Sequence, residues 1–234
     1  MAAHSHPQPG KFKASQNMKV IFAVSMLLGV IAFAVGMLKE PDRIWHAYLV
    51  GFLYFLCLSL GGLFFAAVNH VAKAGWSVNV RRIAESFTAF MPIAALGLVG
   101  LLVGSKYLYI WLDKALVAKD AILAAKASYL NGPFFVGRLV LFFGLWFLFA
   151  RKIVGNSVQQ DVSGDEKFTL RNVPTSIAFI MVFAISFSLF CVDTVMSLEP
   201  HWFSTIFGIY IFAGMFQSTI AVMILITLYS MKQG

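Results

Sequence analysis

Acidic residues are scarce in this chain, with ten Asp and Glu among 234 residues against eighteen Lys and Arg. Charged residues make up only 12% of the sequence, hydrophobic ones 60%, and the mean hydropathy is +0.82. That is too little polar surface to cover a water-soluble domain of this length. Cysteine is nearly absent: Cys57 and Cys191 each sit in an apolar stretch, outside any CxxC or CxxCH spacing. They read as small core or lipid-facing residues, and an iron–sulfur cluster or c-type haem on this chain is excluded. Histidine is sparse too. His4 and His6 in the N-terminal tail are too few to argue for a metal, and His46, His70 and His201 each stand near the end of an apolar run. No two of these can face each other across helices at the depth a membrane haem b requires. There is also no phosphate-binding loop, nucleophile elbow or HExxH. Any electron transfer must therefore use a diffusible carrier such as a quinone, with the metal centres on partner subunits.

What the chain does have is long apolar runs. A helix needs about 20 mostly apolar residues to cross the hydrocarbon, and six segments qualify: 20–38, 46–71, 83–104, 133–153, 173–198 and 203–229. The expected fold is an all-α, polytopic transmembrane helix bundle of about six spans, with residues 1–17 as a disordered tail and 18–234 as the helical domain. Eleven Lys and Arg fall in the tail, the second-to-third and fourth-to-fifth connections and the C-terminal end; the other connections hold six. The positive-inside rule then places both termini in the cytoplasm. A cleaved leader ending at Ala32-Phe33-Ala34 competes for the first span, but the apolar run continues through Val35 to Leu38. Because the basic residues gather at the ends of the apolar runs, lipid headgroups and not nucleic acid are the expected anionic partner.

With this topology Trp45, Tyr48, Tyr107, Tyr109, Trp111, Tyr129 and Trp202 collect at the outer interface as an aromatic belt, and Trp76 marks the other side. Segment 112–130 interleaves leucine and isoleucine with Asp113, Lys114, Lys119, Asp120 and Lys126, which predicts one helix lying on the outer surface. Gly100 with Gly104, Gly62 with Ala66, and Gly214 with Ser218 are small-residue pairs suited to close helix approach. The hydrophilic stretch 155–171 is expected to be an exposed cytoplasmic connection.

Ionisable groups at membrane depth are functional-site candidates by default. Asp193 lies about one and a half turns inside the fifth span, and Arg138 lies five residues into the fourth, where a carboxylate partner would ease its burial. Glu199, His201 and His46 stand at the outer mouth, and Ser186, two turns deeper than Asp193 on the same face, could begin a polar track. These six are the quinone or proton-path candidates. Such an Arg and Asp also suit a helix-register anchor, and rim histidines can simply solvate the interface. On the cytoplasmic side His70 and Glu85 are proton-uptake candidates, although Glu85 also neutralises Arg81 and Arg82 at a helix start. No metal-ligand set is expected.

Three stretches carry a resemblance: Glu40-Pro41-Asp42-Arg43-Ile44-Trp45-His46-Ala47-Tyr48, Ala74-Gly75-Trp76-Ser77 followed by Arg81-Arg82, and Ser197-Leu198-Glu199-Pro200-His201-Trp202-Phe203-Ser204-Thr205-Ile206-Phe207-Gly208. They resemble the ActF subunits of bacterial alternative complex III, membrane proteins of the NrfD/PsrC type. The resemblance implies a multi-pass subunit of the bacterial inner membrane, in a quinol:electron-acceptor oxidoreductase that uses menaquinone or ubiquinone. It implies an ActC-like membrane partner, periplasmic iron–sulfur and c-type haem subunits, and no haem or cluster on this chain. Members of that family have more spans than six, so the resemblance also implies a truncated or split form. Three roles follow as expectations: quinol binding or proton conduction within such a complex, a non-catalytic anchor for it, or an ion or solute transporter. The last is disfavoured by the small number of deep polar residues and the lack of a visible repeat.

Overall fold

The computed structural model describes residues 15–232 and divides them into two units, 15–44 and 45–232. The helices are α1 (Gln16–Lys39), α2 (Pro41–Val71), α3 (Val78–Ser86), α4 (Met91–Leu108), α5 (Lys114–Val117), α6 (Ala121–Lys126), α7 (Gly132–Ser163), α8 (Lys167–Thr194) and α9 (Phe207–Lys232), and no strand occurs among the described residues. Six segments are long and apolar enough to cross a membrane: Gln16–Lys39, Pro41–Val71, Val80–Leu108, Gly132–Ser163, Lys167–Leu198 and Phe207–Lys232. With the composition, this makes the chain an all-α, multi-pass membrane protein. The expected tail falls largely on residues 1–14, outside those described; from residue 15 the chain is ordered, because Ser15 caps α1 by accepting the Met18 N–H at 3.2 Å.

Apolar side chains gain little by leaving lipid for protein, so a bundle of this kind is held by close approach, dispersion and hydrogen bonds. In the second unit glycines set the approach. A Cβ at Gly61 would collide with Thr219 of α9, and one at Gly62 with the Ala84 carbonyl of α3, so both neighbours press directly on the backbone of α2. Along α4, Gly97, Gly100 and Gly104 give room to the rings of Phe52, Tyr48 and Trp45, and the Tyr48 hydroxyl donates to the Gly97 carbonyl at 2.7 Å. The Gly100 and Gly104 pair thus seats aromatic rings where a backbone had been expected. Gly214 meets nothing within 4 Å and opens onto a groove shared with Tyr54, Cys57, Gln217 and Ser218.

The α7–α8 hairpin carries the aromatic core. Trp146 is fully buried, with ring centroids 5.4 Å from Phe143 and 5.3 Å from Phe190, and the series Phe179, Phe183, Phe187 continues along α8 at 5.3 and 5.0 Å. Each well-oriented ring pair adds about 0.5–1.5 kcal/mol beyond its buried area. Gly164, at φ +66°, ends α7 in the left-handed conformation and its N–H returns to the Gln160 carbonyl.

Several expected boundaries move, each for a local reason. The surface helix expected over 112–130 is broken into α5 and α6, because Asp113 and Asp120 take extended backbones and each caps a new helix with its carboxylate. The connection expected over 155–171 is mostly helix: α7 runs on to Ser163, since Asn156, Ser157 and Gln160 bond to Asn172, Glu85 and Thr169 on neighbouring elements. At the other end, residues 203–206 belong to the rim, and α9 starts at Phe207. Trp45, Tyr109 and Trp111 are buried plugs and not members of an interfacial belt, whereas Trp202 and Trp76 are exposed as a belt requires.

Gly61→Ala should lower thermal stability in detergent by about 1–3 kcal/mol through overpacking. Thr219→Ala in the same chain should restore part of that loss, which a double-mutant cycle of unfolding measurements reads as a favourable coupling.

Candidate functional site

Asn131 has an extended backbone, and its side chain accepts the Phe134 N–H at 3.0 Å, so α7 starts sharply at Gly132-Pro133. Arg138 then stands in the second turn, facing the end of α8. Its Nε donates to Asp193 Oδ2 at 2.7 Å and its Nη2 to Oδ1 at 3.1 Å, a two-pronged ion pair in which Arg138 is 7% and Asp193 0% exposed. The third guanidinium nitrogen, Nη1, donates to the Tyr129 carbonyl at 3.2 Å, and the flat face lies 3.9 Å from the Tyr129 ring centroid and 4.3 Å from that of Phe134. This matches what a buried charge pair needs: paired prongs, a bond from each guanidinium nitrogen and aromatic faces in place of water.

The carbonyls left over where α8 ends are taken by side chains from the preceding connection. Tyr109 Oη donates to the Thr194 carbonyl at 3.0 Å, Trp111 Nε1 to that of Ser197 at 3.2 Å, and Lys126 Nζ to that of Pro200 at 2.5 Å. Burial raises the Tyr109 hydroxyl well above its ordinary range, with the nearby Asp193 charge a second cause, so it acts here as a fixed donor. Next along the rim, His201 Nε2 lies 2.6 Å from Asp120 Oδ2, and its Nδ1 lies 3.5 Å from Glu199 Oε1. The backbone N–H of Leu123, and then His201, hold the Asp120 carboxyl below its ordinary 3.8.

Beside this framework a groove of about 450 Å³ opens between the α6–α7 connection and the end of α8. Leu130, Val192, Met196, Trp202 and Phe203 form its apolar walls, and Lys126, Ser128, Tyr129 and Ser197 are its polar residues. The Tyr129 hydroxyl is buried beside the Asp193 carboxylate. Burial first, and the Asp193 carboxylate after it, push that hydroxyl up to about 12, against the opposing pull of Arg138.

Of the six quinone or proton-path candidates, Arg138 and Asp193 meet directly, and Glu199 and His201 form the rim cluster with Asp120. Ser186 is buried and accepts the Trp146 Nε1–H at 2.9 Å, while Phe187 and Phe190 fill the core between it and Asp193. His46 is exposed near the start of α2, and its neighbour Trp45 is the residue that enters the core. At the opposite end, Glu85 is buried and receives Ser157 Oγ at 2.8 Å and Arg82 Nη1 at 2.6 Å, with Arg81 Nε at 3.4 Å. His70, also buried, faces Asn172 on α8.

Tyr129, Lys126 and Asp120 were not legible as site residues, because they sit in a segment whose composition matches any amphipathic surface helix. The one available signal was Asp120 itself, a capping residue in the middle of a presumed helix. No group of three or more His, Cys, Asp or Glu able to hold a metal occurs among the described residues. Comparison with protein-family models finds none that matches the chain, and comparison with curated proteins finds none similar to it.

Asp193→Asn should destabilise the bundle by about 3–5 kcal/mol, because it strands the Arg138 charge in a buried site, whereas replacing both by leucine should recover most of that loss in thermal unfolding. The lowered Asp120 carboxyl sets a second expectation. Its contribution to the rim is present above the ordinary carboxylate value and is lost as pH falls through the lower, folded one. The protection of the Ile122 and Leu123 amides, relative to the intrinsic exchange rate at each pH, should therefore fall only at pH below 3.8, and Asp120→Ala should show the low protection at neutral pH.

Proposed function

We propose that the chain is an integral membrane subunit of a respiratory quinol:electron-acceptor oxidoreductase of the alternative complex III type, and that it binds the quinol in the groove beside Arg138 and Asp193. The supporting observation is the groove's composition. A site for a molecule with a polar ring and an apolar tail needs long apolar walls and a few polar atoms gathered at one place. Here Trp202, Phe203, Leu130 and Met196 are the walls, and Lys126, Tyr129 and Ser197 are the polar residues among them. In the same reading both termini are cytoplasmic, the membrane is the bacterial inner membrane, and the groove lies at its outer face.

Quinol oxidation releases two electrons and two protons. The electrons pass to iron–sulfur and c-type haem centres on partner subunits, beside an ActC-like membrane partner. For the protons, His201 with Asp120 and Glu199 forms an exposed acceptor cluster next to the Pro200–Trp202 wall of the groove. Arg138 and Asp193 act as positioning residues: they hold Tyr129 and the end of α8, and with them the two sides of the groove.

A second reading, a non-catalytic anchor, is favoured by one observation: both Asp193 oxygens are already engaged by Arg138. The two readings separate in one experiment. Quinol oxidation and proton release are measured on the assembled complex carrying Tyr129→Phe or Trp202→Ala, normalised to complex content. The quinol reading expects turnover to fall about tenfold, the effect of about 1.4 kcal/mol on the barrier, with assembly intact. Normal turnover per assembled complex, with loss confined to assembly in Asp193→Asn, selects the anchor.

A further inference from the structure

The end of the bundle opposite the groove contains a buried histidine whose protonation state is determined by its neighbours. Asn172 of α8 is fully buried, and one of its side-chain atoms lies 3.0 Å from the Ile153 carbonyl of α7. A carbonyl only accepts, so that atom is the amide nitrogen, Nδ2. The amide oxygen agrees, since it accepts from Asn156 Nδ2 at 2.8 Å. The same Asn172 nitrogen lies 3.3 Å from His70 Nε2 of α2. With one hydrogen given to Ile153, its other hydrogen points at the histidine, and Nε2 must offer a lone pair. A hydrogen on Nε2 would set two donors against each other. His70 is therefore neutral and carries its proton on Nδ1.

That Nδ1–H is buried and has no hydrogen-bond partner in the protein. Ser176, four residues after Asn172 and so one turn further along the same face of α8, has a buried hydroxyl that also lacks a partner. His70 is 3% exposed, Asn172 and Ser176 0%. Buried donors are almost always satisfied, and a polar atom without a protein partner marks a place where something else is bound.

We infer that His70 and Ser176 hold an internal water molecule between α2 and α8, with the histidine Nδ1–H as donor to it and the serine hydroxyl as its second partner. An internal water typically has about two to four polar partners, and these are the two side chains free to serve. Further polar contacts lie on the same end of the bundle. Asn172 bonds to Asn156; the next residue, Ser157, bonds to Glu85; and Arg82 joins both Glu85 and the half-exposed Asp161. These are two hydrogen-bonded groups carried by adjacent residues of α7, one around Asn172 and one around Glu85, and the site is independent of what the groove binds.

The test uses the intact chain, labelled with 15N-histidine, in lipid nanodiscs, with the His70→Gln spectrum identifying the His70 resonances. The expected result is a protonated Nδ1, a bare Nε2, and a cross-peak between the Nδ1–H and water that weakens in Ser176→Ala while the tautomer is kept. A proton on Nε2, a doubly protonated ring, or an Nδ1–H with no water cross-peak would overturn the inference. An unchanged cross-peak in Ser176→Ala would overturn the assignment of Ser176 as second partner.

Discussion

The contact between Arg138 and Asp193 joins two residues 55 positions apart, and much of the surrounding structure exists to make it tolerable. A guanidinium and a carboxylate taken from water lose solvation that their mutual attraction restores only when the geometry is good and further hydrogen bonds support it. That requirement explains Asn131, whose cap sets where α7 begins and so where Arg138 points. It explains the Tyr129 and Phe134 rings on the guanidinium faces. It also explains why the chain after Asp193 is tied down by Ser197, Tyr109 and Trp111, since a mobile end of α8 would let the carboxylate swing away.

The opposite end obeys the same rule with different chemistry. Glu85 is balanced by Arg81, Arg82 and Ser157, and the asparagines 156 and 172 carry the polar contacts from α7 to α8 and on to α2. Between the two ends lies an almost wholly apolar interior of phenylalanine and Trp146, where fit is supplied by ring geometry and by glycines that remove steric bulk. Stability against misregistration therefore comes from the ends, and close packing from the middle.

The six apolar runs were legible in the sequence, and so were Arg138 and Asp193 as deep charges in need of a partner, because burying an ion in hydrocarbon leaves few alternatives; that they face each other was not legible. Element ends were less legible. A run of polar residues such as 156–163 looks like a loop until its partners on other helices are known, and those partners are far apart in sequence. Asp113 and Asp120 have the opposite ambiguity: a lone Asp within an amphipathic pattern is either a surface charge or a cap, and only backbone geometry decides. The groove was hidden for a further reason. Its walls come from two connections, 125–130 and 196–203, and with 24 phenylalanines in the chain no single aromatic residue distinguishes itself.

The length of α7 has a consequence for handling the protein. At about 1.5 Å per residue, its 32 residues extend roughly 48 Å, well beyond a hydrocarbon layer of about 30 Å. A crossing uses about 20 of them, and the end of α7 at Gly164, with Gln159, Gln160, Asp161, Ser163 and Asp165 around it, has the composition suited to water. A small epitope or fluorophore inserted there would disturb no span, and its accessibility to a membrane-impermeant quencher would reveal which compartment that tip faces.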